Sequence, residues 1–134
     1  MATVFEKLNW KDQQEIMVLN APESFQPELA KLSSTTILRD LFPLKEVPFT
    51  LAFVTHKAEV DKLAPKIANR AKGDAIVWFA YPKGSSKQYK CDFNRDTGWD
   101  ALTGLGFETV RAIAIDEDWT ALRFRRSEFV KGRK

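Results

Sequence analysis

The sequence predicts an α/β protein of three layers, in which a mostly parallel sheet of about six strands lies between helices and ends in an antiparallel hairpin. Three observations predict this fold class. The segment from Ala75 to Tyr81 is a run of seven apolar residues without polar alternation, which is typical of a strand covered on both faces. Strand-like and helix-like segments alternate along the chain, as they do in parallel sheets. The last segment alternates apolar and arginine residues, which fits an antiparallel strand with one solvent-exposed face.

The predicted elements follow one another from residue 15 to residue 126. Strands are predicted at 15–19, 35–38, 49–55, 75–81, 109–115 and 121–126, and helices at 23–32, 58–72 and 98–106. The helix at 58–72 has the clearest pattern, because Val60, Leu63 and Ile67 recur at spacings of three and four residues. Pro65 lies inside this segment and predicts a kink or a short break.

The order of the strands follows in part from their connections. The right-handed crossover rule places the third strand beside the first. The polar residues after Tyr81 then lie at the carboxyl edge of a central strand, where open α/β sheets bind ligands. Arg123 and Arg125 alternate with apolar residues in the last strand, which favours an edge position. Because an exposed edge strand can pair with a second chain, a homodimer is one predicted assembly.

Size and composition favour a single domain. The chain has 134 residues, 44% of them hydrophobic, and a net charge of +3. One domain over 1–134 is expected, with an extension at 1–14 and a basic tail at 127–134. The charge excess is too small by itself to argue for nucleic acid, and a nucleic-acid partner is not expected. A single cysteine excludes a disulfide framework, and no segment resembles a signal peptide or a membrane span, so a cytoplasmic protein is predicted.

Three segments together carry a resemblance to a known family. They are LNAPESF at 19–25, the unit from LAFVTHKAEV to AIVWFAYPKGSS at 51–86, and AIDEDWTALRF at 114–124. Over about residues 15–126 the chain resembles an uncharacterised bacterial family of small Rossmann-like, methyltransferase-like proteins, a domain of unknown function. The resemblance implies a fold and no established reaction. Comparison with methyltransferases also implies that the last strand is inserted between the fourth and the fifth, so its position stays open.

The turn after the first strand bears on the methyltransferase hypothesis. In such folds a glycine-rich turn lets backbone amides approach the cofactor. Here the turn at 20–25 has no glycine, and Pro22 has no amide hydrogen. Asp40 ends the second strand, twenty positions after Asn20, where an acidic residue would hold a ribose. A methyltransferase would therefore need an altered cofactor loop, and the cofactor is left unidentified.

The loop after the central strand supports a different hypothesis. From Lys83 to Lys87 it combines a glycine and two serines with lysines, a composition that suits a phosphate or another small anion. The glycine and lysine spacing of a Walker A loop is absent. The structural alternative is a solvated turn.

No catalytic set and no metal site is predicted. His56 is the only histidine and Cys91 the only cysteine, and no base is identifiable near the thiol. Three carboxylates lie together at 116–118, where a structural turn is favoured over a ligand role, with Asp116 kept as a ligand candidate.

The sequence therefore favours a small Rossmann-like protein that binds a small anionic ligand or a protein partner, without an identifiable catalytic set. The alternatives are an S-adenosylmethionine-dependent methyltransferase-like enzyme with an altered cofactor loop and a structural or interaction protein. The predicted ligand-binding residues are Asn20, Thr55, Lys57, Tyr81, Lys83, Ser85, Ser86 and Asp116.

Overall fold

The structure is a computed structural model that describes residues 4–8, 15–32, 35–39, 47–71, 75–83, 91 and 99–127. The described strands are β1 (Glu15–Leu19), β2 (Thr36–Leu38), β3 (Phe49–Phe53), β4 (Ile76–Pro82), β5 (Phe107–Ala114) and β6 (Trp119–Arg126). The described helices are α1 (Val4–Lys7), α2 (Gln26–Ala30), α3 (Lys57–Arg70) and α4 (Asp100–Gly104), with a 3₁₀ turn (Glu23–Phe25) before α2.

The strands form one sheet in the order β2-β1-β3-β4-β6-β5. The first four strands are parallel, and β6 is antiparallel to both of its neighbours. The predicted fold class, a mostly parallel α/β sheet of six strands with an antiparallel C-terminal pair, is confirmed. The prediction that β3 lies beside β1 is also correct, and every residue of β3 and β4 is buried.

The last strand is not at the edge that its alternating arginines favour. β6 is inserted between β4 and β5, so β5 is the outer strand. The alternation in β6 has another cause, since Leu122 and Phe124 are buried on one face while Arg123 and Arg125 are only partly buried on the other. A polar–apolar alternation reports which face of a strand is covered and carries no information about its neighbours in the sheet.

Two apolar clusters cover the two faces of the sheet. On one face, here called the α3 face, residues of α3 such as Val60 and Ile67 pack with Val77 and Phe79 of β4. On the other face, here called the α2 face, Trp78 packs in one cluster with Phe5, Leu8, Phe25, Leu29 and Leu32. The neighbouring strand positions therefore alternate between the two clusters, which is why β4 shows no polar alternation in the sequence.

Helix α3 runs without interruption through Pro65, so the predicted break does not occur. Pro65 is exposed, whereas Val60, Leu63 and Ile67 of the same helix are buried against the sheet. The packed face holds the helix together although the proline removes one backbone hydrogen bond.

Replacing Pro65 with alanine is expected to raise the free energy of unfolding by about 1 kcal/mol or more. The gain comes from a restored hydrogen bond and is reduced by the greater freedom of the unfolded chain. Urea denaturation followed by circular dichroism measures the change. Pro27→Ala is the matched control, because Pro27 lies in the first turn of α2, where a backbone amide has no helical partner. An equal gain for both variants would contradict this explanation.

The C-terminal end of α3 is fixed by the last strand. Nη2 of Arg126 donates to the carbonyl oxygens of Ala68 and Ala71 at 3.1 and 2.8 Å. The same guanidinium lies over the ring of Phe107, 4.7 Å from its centroid. These contacts satisfy carbonyls that the end of a helix leaves without intrahelical partners, and they hold β5 and β6 against α3.

Candidate functional site

The candidate site is the switch point at the carboxyl edge of the sheet between β1 and β3, where open α/β sheets form a ligand crevice, and it is here called the crevice. The chain goes from β1 to β2 on one side and returns to β3 on the other side of β1. The loops that follow β1 and β3 therefore lead away in opposite directions, and open α/β sheets bind ligands at such switch points. Asn20 follows β1 and Thr55 follows β3, so both predicted residues flank this crevice.

Asn20 has an uncommon backbone conformation. Its φ is 58°, which makes it the one non-glycine residue with a positive φ in the described part of the chain. Asparagine tolerates this left-handed region better than most side chains. Its Nδ2 donates to the carbonyl oxygen of Phe53 at 3.4 Å, and the residue is exposed. Asn20 thus makes the turn for which a glycine is the usual residue, and it links the ends of β1 and β3.

Aromatic side chains pack beneath this turn on the α2 face. Phe25 is 2% exposed and its ring centroid lies 4.9 Å from that of Phe53. Phe53 in turn contacts Trp119 edge to face at 5.1 Å. The backbone N–H of Phe25 donates to the carbonyl oxygen of Pro22 at 2.9 Å. The loop after β1 therefore lies over a packed layer of aromatic rings, here called the aromatic floor and formed by Phe25, Phe53 and Trp119. The loop itself has fewer backbone amide donors than a glycine-rich loop would have.

Thr55 is held by a carboxylate from the first turn of α3, the helix that follows it. Oε1 of Glu59 accepts hydrogen bonds from the backbone N–H of Thr55 at 2.7 Å, from its Oγ1 at 3.1 Å and from the backbone N–H of His56 at 3.1 Å. A carboxylate in the first turn also suits the positive end of the helix dipole. These donors, which an external anion would use, are already bonded within the protein.

Lys57 and Asp116 also have partners within the chain. Nζ of Lys57 lies 3.0 Å from Oδ2 of Asp61, one helical turn further on. Oδ1 of Asp116 accepts from the backbone N–H groups of Asp118 and Trp119 at 2.8 and 2.9 Å. This geometry is that of an Asx-turn, which agrees with the structural role that the sequence favours for 116–118.

Tyr81 and Lys83 end the central strand at the same edge. Tyr81 is 6% exposed, and its ring meets that of Trp99 edge to face with centroids 5.7 Å apart. The backbone N–H of Lys83 donates to the carbonyl oxygen of Asp118 at 2.8 Å, and its side chain is partly buried. The end of β4 is thereby joined to the turn between β5 and β6.

The described residues thus form two groups along one edge. Asn20 is joined to the end of β3, and Lys83 is joined to the turn that contains Asp116. Ser85 and Ser86 lie outside the described residues, and so does Asp40.

Sequence reasoning missed Glu59 and the aromatic floor of Phe25, Phe53 and Trp119. A glutamate at the third position of a helix is a recognisable capping signal, so Glu59 could have been found. The aromatic residues have no such signal, because a phenylalanine in an apolar segment does not reveal which loop it packs beneath.

The described residues contain neither a metal-binding cluster nor a membrane-crossing helix. No three histidine, cysteine, aspartate or glutamate side chains lie together there as a metal site would require. Within the same residues, no helix has both the length and the apolar character needed to cross a bilayer.

Comparison with solved structures places this architecture among methyltransferase-like Rossmann folds. The magnesium protoporphyrin IX methyltransferase ChlM from Synechocystis, solved with bound S-adenosylmethionine, has a TM-score of 0.59 and 11% identity, covering 92% of this chain and 78% of its own. The glycopeptide N-methyltransferase MtfA has a TM-score of 0.58 and 10% identity, covering 91% and 92%. TrmN from Thermus thermophilus has a TM-score of 0.58 and 11% identity, covering 92% of this chain.

These likenesses show the fold alone, because every identity is near a tenth. The chain spans only 47% of TrmN. No protein-family model and no curated protein matches the sequence. The methyltransferase-like part of the sequence resemblance is therefore supported by structure, while its bacterial family stays a prediction.

Proposed function

We propose that this protein binds S-adenosylmethionine, or a close relative of it, in the crevice between β1 and β3, as a methyltransferase-like protein with an altered cofactor loop. The observation that carries the proposal is the left-handed Asn20 at the end of β1, directly at the switch point of a sheet with methyltransferase strand order. Backbone turns of this kind are what a glycine-rich cofactor loop provides. The bound cofactor would supply a transferable methyl group.

The described residues fit this ligand better than a nucleotide phosphate. S-adenosylmethionine carries no phosphate, and a carboxylate is its one anionic group, so the missing amide of Pro22 and the donors occupied by Glu59 weigh less against it than against a phosphate. The exposed carboxamide of Asn20 would hydrogen-bond to the polar part of the ligand. The rings of Phe25 and Phe53 would keep the base of the crevice free of water. Asp40 stays a prediction for the ribose.

A small anion is the second candidate ligand. Lys57 and Lys83 are both partly buried at the carboxyl edge, which supports this candidate. Against it, Lys57 is paired with Asp61, and the amides at the start of α3 are bonded to Glu59. Ser85 and Ser86 keep their predicted role in this candidate.

A homodimer through an exposed edge strand is also retained as a proposal. It would use β5, since β5 and not β6 is the outer strand of the sheet.

Asn20→Gly is expected to weaken S-adenosylmethionine binding by roughly three- to tenfold, the value of one hydrogen bond. Glycine keeps the left-handed backbone, so the fold is expected to stay intact. Thermal-shift titration with S-adenosylmethionine, S-adenosylhomocysteine and inorganic phosphate measures the effect. Asn69→Ala is the control, because Asn69 is an exposed asparagine on α3.

Three outcomes separate the candidates. Stabilisation by S-adenosylmethionine that is weakened in Asn20→Gly and unchanged in Asn69→Ala supports the proposal. Stabilisation by phosphate alone that is lost in Lys83→Ala would contradict the proposal and identify a small anion as the ligand. No stabilisation by any of the three ligands would contradict both.

A further inference from the structure

The edge of the sheet at β5 is open to solvent. β5 is eight residues long and is the outermost described strand on its side of the sheet. Its residues 109–112 are all exposed, and so is Ala114. The strand at the other edge, β2, has only three residues. β5 contains neither proline nor lysine, the residues that commonly protect an edge, so its outward N–H and C=O groups are open to pairing with another chain.

The pairing of β5 with β6 indicates which backbone groups of β5 point outward. Just beyond the end of β5, the N–H of Ile115 donates to the carbonyl oxygen of Trp119 at 3.0 Å. In an antiparallel pair, residues that exchange hydrogen bonds alternate with residues that do not. By this alternation Ile113 directs its backbone groups toward β6, whereas those of Ala112 and Ala114 point away from the sheet.

The part of β5 that can pair regularly with a further strand is short. A bulge interrupts its register between Thr109 and Arg111. Such a bulge bends the strand and disrupts a ladder. At the other end, β5 stops at Ala114, and the chain turns back into β6. A neighbouring strand can therefore pair in register only with residues 111–114.

We propose that β5 pairs antiparallel with β5 of a second copy of this chain, about a two-fold axis at Ile113. In this register Ala112 lies opposite the partner's Ala114, so each of these alanines bonds its N–H and C=O to the partner. Ile113 meets the partner's Ile113 on the α2 face, where it packs beside the apolar cluster. Shifting the register by two residues in either direction would place an outward alanine against the bulge or the turn. A two-fold pairing uses each β5 edge once, so it closes at a dimer.

Charge complementarity favours a second copy as the partner. In this register Arg111 lies opposite the partner's Ile115, and the acidic turn at 116–118 of the partner follows directly. Arg111 and Glu117 are both exposed. Glu117 is two residues beyond Ile115, at most about 7 Å along the chain, a distance that an arginine side chain can span. The two-fold axis repeats this contact, because each copy supplies one arginine and one acidic turn.

This surface lies apart from the proposed cofactor crevice. β4 and β6 separate β5 from β3, which borders the crevice. The proposal gives the homodimer a register and an ion pair, and it does not depend on S-adenosylmethionine binding. Either proposal can therefore fail while the other holds.

Sedimentation velocity over a range of protein concentrations tests the assembly. The parent chain is expected to change from monomer to dimer as its concentration rises. Ala112→Lys places a charged side chain at the pairing surface and is expected to weaken association by about tenfold or more. Thr36→Lys is the matched control, because it makes the same change of charge at an exposed residue of β2, on the other edge of the sheet. This control is expected to leave association unchanged.

A charge exchange tests the identity of the partner. Arg111→Glu and Glu117→Arg are each expected to weaken self-association by roughly tenfold, because each brings like charges together across the axis. An equal mixture of the two variants restores opposite charges at both contacts, so it is expected to form dimers as the parent chain does. Raising the salt concentration should weaken the parent dimer, since the ion pairs lie near solvent.

Several results would overturn the proposal. They are a monomeric parent chain at every concentration, equal effects of Ala112→Lys and Thr36→Lys, or a mixture of the charge variants that stays monomeric. A monomeric parent chain would leave this edge to an extended segment of another protein. Far-ultraviolet circular dichroism shows whether each variant keeps the fold, and the charge exchange stays decisive if Ala112→Lys does not fold.

Discussion

Replacing Trp78 with alanine is expected to lower the free energy of unfolding by about 3–5 kcal/mol. Trp78 has no exposed surface, and it lies in β4 between β3 and β6. Small domains have a total stability of roughly 5–15 kcal/mol, so this loss can remove most of the folded population at moderate temperature. Urea denaturation followed by far-ultraviolet circular dichroism measures it, because this signal does not depend on the missing indole.

The indole of Trp78 also holds the N-terminal segment. Its Nε1 donates to the carbonyl oxygen of Leu8 at 2.8 Å, although 70 positions separate the two residues. Trp78→Phe keeps an aromatic ring but leaves that buried carbonyl without this donor, at a cost of about 1–3 kcal/mol. Because this hydrogen bond holds Leu8 against the sheet, its loss should free the N-terminal segment. A protease is therefore expected to cut that segment faster in Trp78→Phe than in the parent chain.

Leu105→Ala is the control for the Trp78 variants. Leu105 is 38% exposed, so its truncation is expected to change the free energy of unfolding by less than about 0.5 kcal/mol. If Trp78→Ala were no more damaging than Leu105→Ala, the placement of β4 at the centre of the sheet would be refuted.

Replacing Glu59 with alanine is expected to lower the free energy of unfolding by about 1–3 kcal/mol. The carboxylate accepts three hydrogen bonds from Thr55 and His56, and its loss leaves those donors without this acceptor at the start of α3. Added sulfate or phosphate should restore part of the stability, because the freed amides at the helix start then bind an anion. Thermal unfolding with and without each anion provides the measurement.

Glu28→Ala is the matched control for Glu59→Ala. Glu28 pairs with Lys31 at 3.3 Å on an open surface, where such a pair contributes at most about 1 kcal/mol. Neither a large loss nor a rescue by sulfate is expected there. Equal behaviour of the two variants, or the absence of any anion rescue in Glu59→Ala, would show that Glu59 does not occupy an anion site.

The anion experiment also bears on the candidate ligand. If sulfate stabilises Glu59→Ala more than the parent chain, the carboxylate of Glu59 occupies the position that an external anion would take. The parent protein would then bind an anion only through groups further along the edge, such as Lys83. An uncharged or cationic part of a ligand, such as a sulfonium group, meets no such competition from a carboxylate.

The sequence by itself determined the elements and the edge at which they end. Apolar segments without alternation identified β1, β3 and β4 as covered strands, because burial on both faces removes the need for polar residues. The periodicity of α3 identified its buried face. The crossover rule then placed β3 beside β1, which locates the switch point between them. These features depend on each residue's own burial and on local connections.

Only the tertiary structure decided which groups meet. The insertion of β6 beside β4 and the aromatic floor beneath Asn20 both depend on partners chosen across the fold. The pairing of β5 with β6 is the plainest case. Arg111 and Arg123 are twelve positions apart in the chain, and strand register alone makes them neighbours. A sequence pattern records whether a residue is buried, whereas pairing in the sheet decides what it lies against.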